Sequence, residues 1–263
     1  MRILPVLIII FFLVSSLFTT KGLADSASSQ QAYTSFSDLY RTSYQGYVTS
    51  KNKYLTYRTL AAEKEALDNG RSFLKIREQY IILYLNMLRD KVSEQGGFSL
   101  TERNLIISKL DVENTWLNSH RSFYDTPTTL LDLQRVADQT QDRYESVIRY
   151  VGLQSGGEIV YNKAAILEKT LRSIITALEL EMKIISSSGT DLTLSQRWLL
   201  EAKNKIDMAK DKQNEAVGVF MALRGQNLVV DYNRGIFLLA ESNQYLKEST
   251  GFVLEIIKSI KGE

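Results

Sequence analysis

Beyond residue 24 the chain contains a single proline, Pro127, and its glycines gather at a few points. Proline removes a backbone donor and clashes with the preceding helical turn, so a chain that lacks it is free to run in long helices. The apolar pattern selects helix over strand. Across 199–223 the apolar or small residues are Leu199, Ala202, Ile206, Ala209, Ala216, Phe220 and Leu223, with Gln213 the polar interruption. Their spacing alternates three and four, a heptad seam that the two-residue period of a strand cannot produce. The last segment repeats the pattern through Val229, Tyr232, Ile236, Leu239, Leu246, Val253, Ile257 and Ile260, with Asn243 and Thr250 in register. So do residues 160–185, through Val160, Ala164, Leu167, Leu171, Ile174, Leu178 and Ile185, and 130–151, through Leu130, Leu133, Ala137, Tyr144, Val147 and Val151.

The boundaries carry matching chemistry. Gly96-Gly97 stops one helix, and Ser99-Leu100-Thr101-Glu102 reads as a capping box opening the next. Asp125-Thr126-Pro127 places proline at or near the first position of a further helix, where its missing N–H is harmless. Gly156-Gly157 and Ser188-Gly189 read as breaks, Asp191 or Thr193 can cap the helix that follows, and 224–227 separates the final two helices. Leu60, Leu67, Leu74, Ile81 and Leu88 stand at seven-residue steps across Asn69-Gly70. That register predicts one N-terminal helix from about residue 29 to 94, roughly 100 Å long. Leu100-Thr101 and Leu192-Thr193, 92 positions apart, each follow a glycine turn and open a helix, a faint internal repeat. The expected fold is all-α: an elongated helical bundle, two three-helix coiled-coil-like units (25–154 and 155–263) with a long N-terminal helix. Gln213 and Asn243, both interrupting apolar seams, are expected as a buried amide pair that holds the C-terminal register.

Residues 1–24 read as a signal peptide. Arg2 is a short basic start, Ile3 to Phe18 is almost unbroken apolar sequence, and Gly22-Leu23-Ala24 puts small residues at a cleavage site before Asp25. The alternative is an uncleaved anchor, for which the run is shorter than the ~20 residues of a comfortable span. The expected location is therefore outside the cytoplasm: periplasmic, cell-surface or extracellular. Of 32 basic residues, Arg2 and Lys21 lie in this segment, so the remainder carries as many cations as its 30 acids. A neutral chain has no broad attraction for nucleic acid or anionic lipid. Nucleic acid is not an expected partner, and a membrane is one only if the N-terminal segment is kept. Cysteine is absent, so the core alone must hold the fold.

Catalytic chemistry has little to draw on. His120 is the only histidine, which with the absence of cysteine removes the His-His-Glu zinc site of H-E-x-x-H proteins, the paired Glu-x-x-His motifs of di-iron bundles and Cys–His dyads. Glycines at 218, 225 and 235 fit no phosphate-loop or dinucleotide spacing. Glu179 and Glu181 point about 200° apart on a helix, so an acid pair would have to be assembled between helices. No catalytic, cofactor or metal residue is expected. Two aromatic features stand out. Tyr33, Tyr40, Tyr47 and Tyr54 recur at heptad steps, with Phe36, Tyr44 and Tyr57 beside them. Trp116, His120 and Phe123 share a helix face. Tyr33, Tyr40, Tyr44, Tyr47, Tyr54, Trp116, His120 and Phe123 are the candidate interaction face; the alternatives are an intramolecular tyrosine seam and a half-buried histidine at the bundle rim.

The segment Leu110-Asp111-Val112-Glu113-Asn114-Thr115-Trp116-Leu117-Asn118-Ser119-His120 resembles a Leu-Asp-x-Glu-x-x-Trp-Leu-x-x-His pattern of uncharacterised exported helical-bundle proteins of uncultivated bacteria. Tyr54-Leu55-Thr56-Tyr57 is similar to part of their long first helix, and the likeness spans about residues 50–125. It implies a helical bundle in the cell envelope and no activity. The expected function is a non-catalytic envelope scaffold or interaction protein binding a protein partner, or itself, through helical faces. The alternatives are an envelope hydrolase with an inter-helix carboxylate site and a sensor bundle binding a small ligand.

Overall fold

The computed structural model describes residues 24–225 and 227–261. The expected signal segment, up to Leu23, lies outside them. The chain is an all-α helical bundle; among the described residues there is no strand. The helices are α1 (Ala24–Tyr57), α2 (Leu60–Glu94), α3 (Leu100–His120), α4 (Leu130–Arg143), α5 (Arg149–Ser186), α6 (Thr193–Met221) and α7 (Leu228–Lys261). A 3₁₀ turn, Arg121–Asp125, follows α3, and a π-helical turn, Tyr144–Ile148, joins α4 to α5. The described chain divides into two compact units after Ser155, inside α5. The first holds α1–α4, the second most of α5 with α6 and α7.

The N-terminal helix is not continuous to residue 94. It reverses after Tyr57, where Arg58 adopts the left-handed conformation (φ 51°) and Thr59 is extended. Thr59 Oγ1 then accepts the Ala62 N–H at 3.2 Å and caps α2. Gly70, where a break was conceivable, lies buried within α2. A Cβ there would stand 2.7 Å from Leu133 Cδ2 and 3.1 Å from the Tyr47 ring, so glycine serves close packing rather than a turn. The heptad steps at Leu67, Leu74 and Leu88 are buried as expected, but Leu60 is exposed at the reversal. The tyrosine and leucine heptads therefore belong to two helices, and the first unit has one helix more than the continuous reading allows.

α1 runs back along α2. Tyr33 stacks on Tyr80 and Tyr47 on Phe73, so early residues of one meet late residues of the other. The capping box forms as its residues dictate: Ser99 Oγ accepts the Glu102 N–H at 3.2 Å, and Glu102 Oε2 accepts the Ser99 N–H at 2.9 Å. Pro127 does not begin a helix. α4 starts at Leu130, capped by Thr129, whose Oγ1 takes the Asp132 N–H at 3.1 Å. Pro127 is buried and its carbonyl accepts from Arg71. The π turn adds a residue to the helical repeat and rotates the following face. Burial accordingly moves from the expected Val147 to Ile148.

Gly156-Gly157 is not a break either; both residues sit inside α5. A Cβ on Gly157 would meet the Phe220 ring at 2.8 Å, and one on Gly156 the Tyr232 hydroxyl at 3.2 Å. These glycines make room for aromatic side chains. The second unit's core joins Leu171, Ile174 and Leu178 of α5 to Ala202, Ile206 and Ala209 of α6 and Leu246, Val253 and Ile256 of α7. The seam expected on α6 is the buried one. On α7 it is rotated: Leu228, Gly235, Ser242, Ser249 and Ile256 stand at seven-residue steps beside Leu239, Leu246 and Val253, while Tyr232, Ile236, Asn243 and Ile257 are only half-buried. Small residues on both sides, Ser195, Ala202 and Ala209 on α6 and Ser242 and Ser249 on α7, let the two backbones approach closely, as the Ser249 Oγ bond to the Ala202 carbonyl requires. Gly235 makes room for the Phe220 ring.

Candidate functional site

The tyrosine stripe meets α2. Tyr33 lies 4.7 Å from Tyr80 and 5.6 Å from Tyr84, centroid to centroid. Tyr40 contacts Phe73 and stacks on Tyr80 at 5.2 Å, and Tyr47 stacks on Phe73 at 5.7 Å. Tyr44 also touches Phe73 but remains 49 % exposed. Tyr54, half-buried, carries the Arg58 guanidinium over its ring. The partners Phe73, Tyr80 and Tyr84 are spaced seven and four along α2, a signal visible in the sequence but masked by the leucine register beside it. Burial, and then the Tyr80 hydroxyl bonded to it, push the Tyr33 phenol well above its ordinary range.

Trp116, His120 and Phe123 do come together. Trp116 stacks on His120 at 4.7 Å, and Phe123, in the 3₁₀ turn, meets it edge-on at 5.5 Å. His120 is not at the rim but buried, as the centre of a polar cluster. With Nδ1 carrying the proton, as a carboxylate acceptor requires, it donates to Glu78 Oε1 at 2.8 Å. The same oxygen accepts the Tyr124 hydroxyl at 2.8 Å and the Thr140 hydroxyl at 2.7 Å. Tyr124 and Thr140 also stand 2.7 Å apart, and the outer nitrogen of His120 faces Gln139 Oε1 at 3.2 Å. Glu78 comes from the middle of α2, His120 from the end of α3, Tyr124 from the 3₁₀ turn and Thr140 from α4. One carboxylate oxygen therefore cross-links four elements. Burying a carboxylate costs several kcal/mol unless it is paired and hydrogen-bonded; here one oxygen has three donors and the other, Oε2, is buried without any. Burial and the Glu78 charge push the Tyr124 phenol well up.

A second buried carboxylate lies beside it. Glu113, 3 % exposed, accepts both Nε and Nη2 of Arg143 at 2.9 and 2.8 Å, and that guanidinium lies 5.6 Å over the Trp116 ring. Charge and ring alternate from Glu113 through Arg143, Trp116 and His120 to Glu78. A carboxylate–imidazole pair is the core of a general-base dyad. This one is closed: Glu78 is 0 % and His120 3 % exposed, and the outer imidazole nitrogen meets an amide rather than a nucleophile. Glu78 and Glu113 each have their own cationic or proton-donating partner, so they do not form a shared acid pair. Glu78 was not singled out by its sequence context, yet it stands at seven-residue steps from Leu85 and Val92, a charge at a core position. Thr140 offered no comparable signal.

A shallow open groove runs along α3, lined by Asn104, Ile107, Ser108, Asp111, Val112 and Thr115. None of the buried cluster reaches it. Among the described residues no group of three or more His, Asp or Glu is placed to hold a metal ion. None of the described helices is long and apolar enough to cross a membrane. Compared with known protein families, curated proteins and solved structures, the chain matches none of them.

Proposed function

We propose that the protein is an exported, non-catalytic scaffold or interaction protein of the cell envelope, which engages a protein partner or a second copy of itself through its helical faces. Its export rests on the apolar segment ending at Gly22-Leu23-Ala24. The observation that carries the non-catalytic reading is the burial of His120. The one side chain with an ordinary pKa near neutrality is held inside by Glu78 and stacked under Trp116. A hydrolase would need carboxylates that a substrate can reach, and the two best-placed acids, Glu78 and Glu113, are cross-links of the first unit. What remains outside is apolar surface on helices, such as Leu105 and Val112 on α3, 57 % and 54 % exposed.

The test is isolation of the native protein from its envelope after brief chemical cross-linking, with identification of what is attached. A stoichiometric protein partner or a defined homo-oligomer is the expected result. A monomer with nothing attached that turns over glycan or peptide substrates would replace this reading with the hydrolase one.

A further inference from the structure

Three reversals of the chain place glycine in the left-handed region: Gly97 at φ 90°, Gly189 at φ 88° and Gly225 at φ 71°. The α1–α2 reversal uses Arg58 instead, the one non-glycine residue with positive φ among the described residues. An L side chain in that conformation crowds the following carbonyl, and glycine makes the same turn without strain. The turn itself therefore gives no reason for arginine; its side chain does.

The surroundings show what the guanidinium accompanies. Leu60 is 82 %, Tyr57 68 % and Leu55 46 % exposed, three large apolar side chains within six residues at the end of a hairpin. Exposed Lys51, Lys53, Arg58 and Lys64 ring them, against two acids, Glu63 and Glu65, of which Glu65 is paired with Lys53 at 2.6 Å. Arg58 and Lys51 lie over the rings of Tyr54 and Tyr47, so these cations sit back along the hairpin behind the apolar tip. The turn between α5 and α6, Ser187-Ser188-Gly189-Thr190-Asp191, offers the contrast: exposed, polar and without a cation.

We propose that the α1–α2 tip docks on an anionic lipid surface, with Leu55, Tyr57 and Leu60 entering the headgroup boundary and Lys51, Lys53, Arg58 and Lys64 meeting the phosphates. An apolar point with a cationic collar matches the two layers of such a surface, and long basic side chains reach the charged layer from below it. The zero net charge beyond residue 24 hides this site, because the attraction is local. The inference goes beyond a protein partner and does not depend on one.

The chain has no cysteine, so a single introduced thiol reports on one place. Leu60→Cys, labelled with an environment-sensitive fluorophore in the full chain, is mixed with vesicles of phosphatidylglycerol and phosphatidylcholine or of phosphatidylcholine alone. Thr190→Cys, labelled in the same way, is the control. The tip probe brightens about twofold and shifts to the blue on anionic vesicles, less so on neutral ones or in high salt, while the probe at 190 does not. Arg58→Gly in the labelled chain weakens vesicle binding about threefold while its melting temperature stays level or rises, which separates contact from folding. The proposal is overturned if the chain sediments with vesicles while the tip probe stays in water, since another segment then holds the membrane. Absence of binding, an Arg58→Gly variant that binds like the parent, or brightening with protein concentration in the absence of vesicles (a second copy on the tip) overturns it equally.

Discussion

The α1–α2 hairpin closes through rings, and the α6–α7 hairpin through the absence of side chains. In the first, Tyr33, Tyr40 and Tyr47 lie on Phe73 and Tyr80, with Ser43 and Ser50 between them on the same face. In the second, Ser195, Ala202 and Ala209 lie along the seam with Ser242 and Ser249, and the aliphatic core is shared with α5. The two units that contain them bury polarity differently too. The first buries charge: Glu78, Glu113 and His120 occupy core positions and tie several elements to single atoms. The second closes its α6–α7 seam with neutral groups: Gln213 Nε2 donates to Ser242 Oγ at 3.2 Å, and Ser249 Oγ to the Ala202 carbonyl at 2.9 Å. Its buried acid, Glu168 on α5, pairs with the more exposed Arg172 and Lys210. Charged cross-links concentrate stability in a few side chains, whereas neutral bonds between close backbones spread it along a seam.

The largest effect should come from Glu78. Glu78→Ala removes the common acceptor of His120, Tyr124 and Thr140 and leaves at least one of these buried donors without an acceptor, since Thr140 can take bonds from its two neighbours but not place its own proton. Breaking a buried pair in this way costs about 3–5 kcal/mol. Each unit contains one of the chain's two tryptophans, Trp116 and Trp198, so denaturant unfolding can be followed at each with the other replaced by Phe. The loss should be read at Trp116. An equal shift at Trp198 would mean that the contrast between units is not energetic.

Ala209→Leu is the matching test of the other seam. Ala209 is fully buried between close helices, and inserting a branched side chain there should destabilise by about 1–3 kcal/mol through overpacking, read at Trp198. A neutral outcome would show that the α6–α7 backbones can separate freely and that the small residues are incidental.

What the sequence disclosed follows the same contrast. The α6 seam was legible because Ile206 and Phe220 mark it and alanine counts as apolar. The α7 seam was misplaced by about one residue because Gly235, Ser242 and Ser249 carry no hydropathy signal, although their heptad spacing is as regular as that of Leu239, Leu246 and Val253. The buried amide was half right: Gln213 is inside, but its partner is Ser242, the residue before the half-buried Asn243. The cap at Ser99 was legible because it is local chemistry. At the start of α6 neither Asp191 nor Thr193 takes the cap position, which falls to Leu192, and Asp191 accepts instead from the Thr193 N–H and hydroxyl. The reversal at Arg58 was not, because no glycine or proline marks it, and Gly156-Gly157 misled because a glycine that admits Phe220 looks the same as one that ends a helix. Glu78 draws its partners from α3, the 3₁₀ turn and α4, and no window of sequence contains all of them.

Alkali tests the asymmetry without mutation. Burial raises the phenols of Tyr33, Tyr124 and Tyr144 in the first unit and of Tyr232 in the second. A raised folded-state pKa means that the stabilising proton is held fully below the unfolded value near 10 and that stability falls as pH rises above it. The Trp116 signal should therefore lose stability in alkali earlier than the Trp198 signal. Coincident curves would indicate that the second unit is equally sensitive.

A smaller effect separates charge from neutrality. Gln213→Leu with Ser242→Ala removes both partners of a neutral bond and also the buried Gln213 Oε1, which has no donor. Replacing both partners with apolar groups is near neutral or stabilising by about 1 kcal/mol. A loss of more than about 2 kcal/mol would show that this bond works as Glu78 does and would collapse the distinction between the units.

The helix starts provide the smallest effect, and here the units should behave alike. Glu102 opens α3, with its carboxylate accepting from the Ser99 hydroxyl and the Ser99 N–H; Asp191 precedes α6 and accepts from the Thr193 hydroxyl and N–H. Those hydrogen bonds hold both carboxyl groups below their ordinary range. A depressed folded-state pKa contributes stability above the unfolded value, and the contribution disappears as pH falls through the folded one. Both groups face solvent, so each effect is slight and weakens further in salt. Carboxyl resonances followed by NMR during acid titration should show Glu102 titrating below the ordinary glutamate range and Asp191 below the ordinary aspartate range. Ser99→Ala should raise Glu102 only in part, because the Ser99 N–H remains, and Thr193→Val should likewise raise Asp191 in part, because the Thr193 N–H remains. If Glu102 keeps the whole of its depression in Ser99→Ala, the Ser99 hydroxyl is not part of its cause. The difference between the units would then extend from their cores to their helix starts, where their residues predict none.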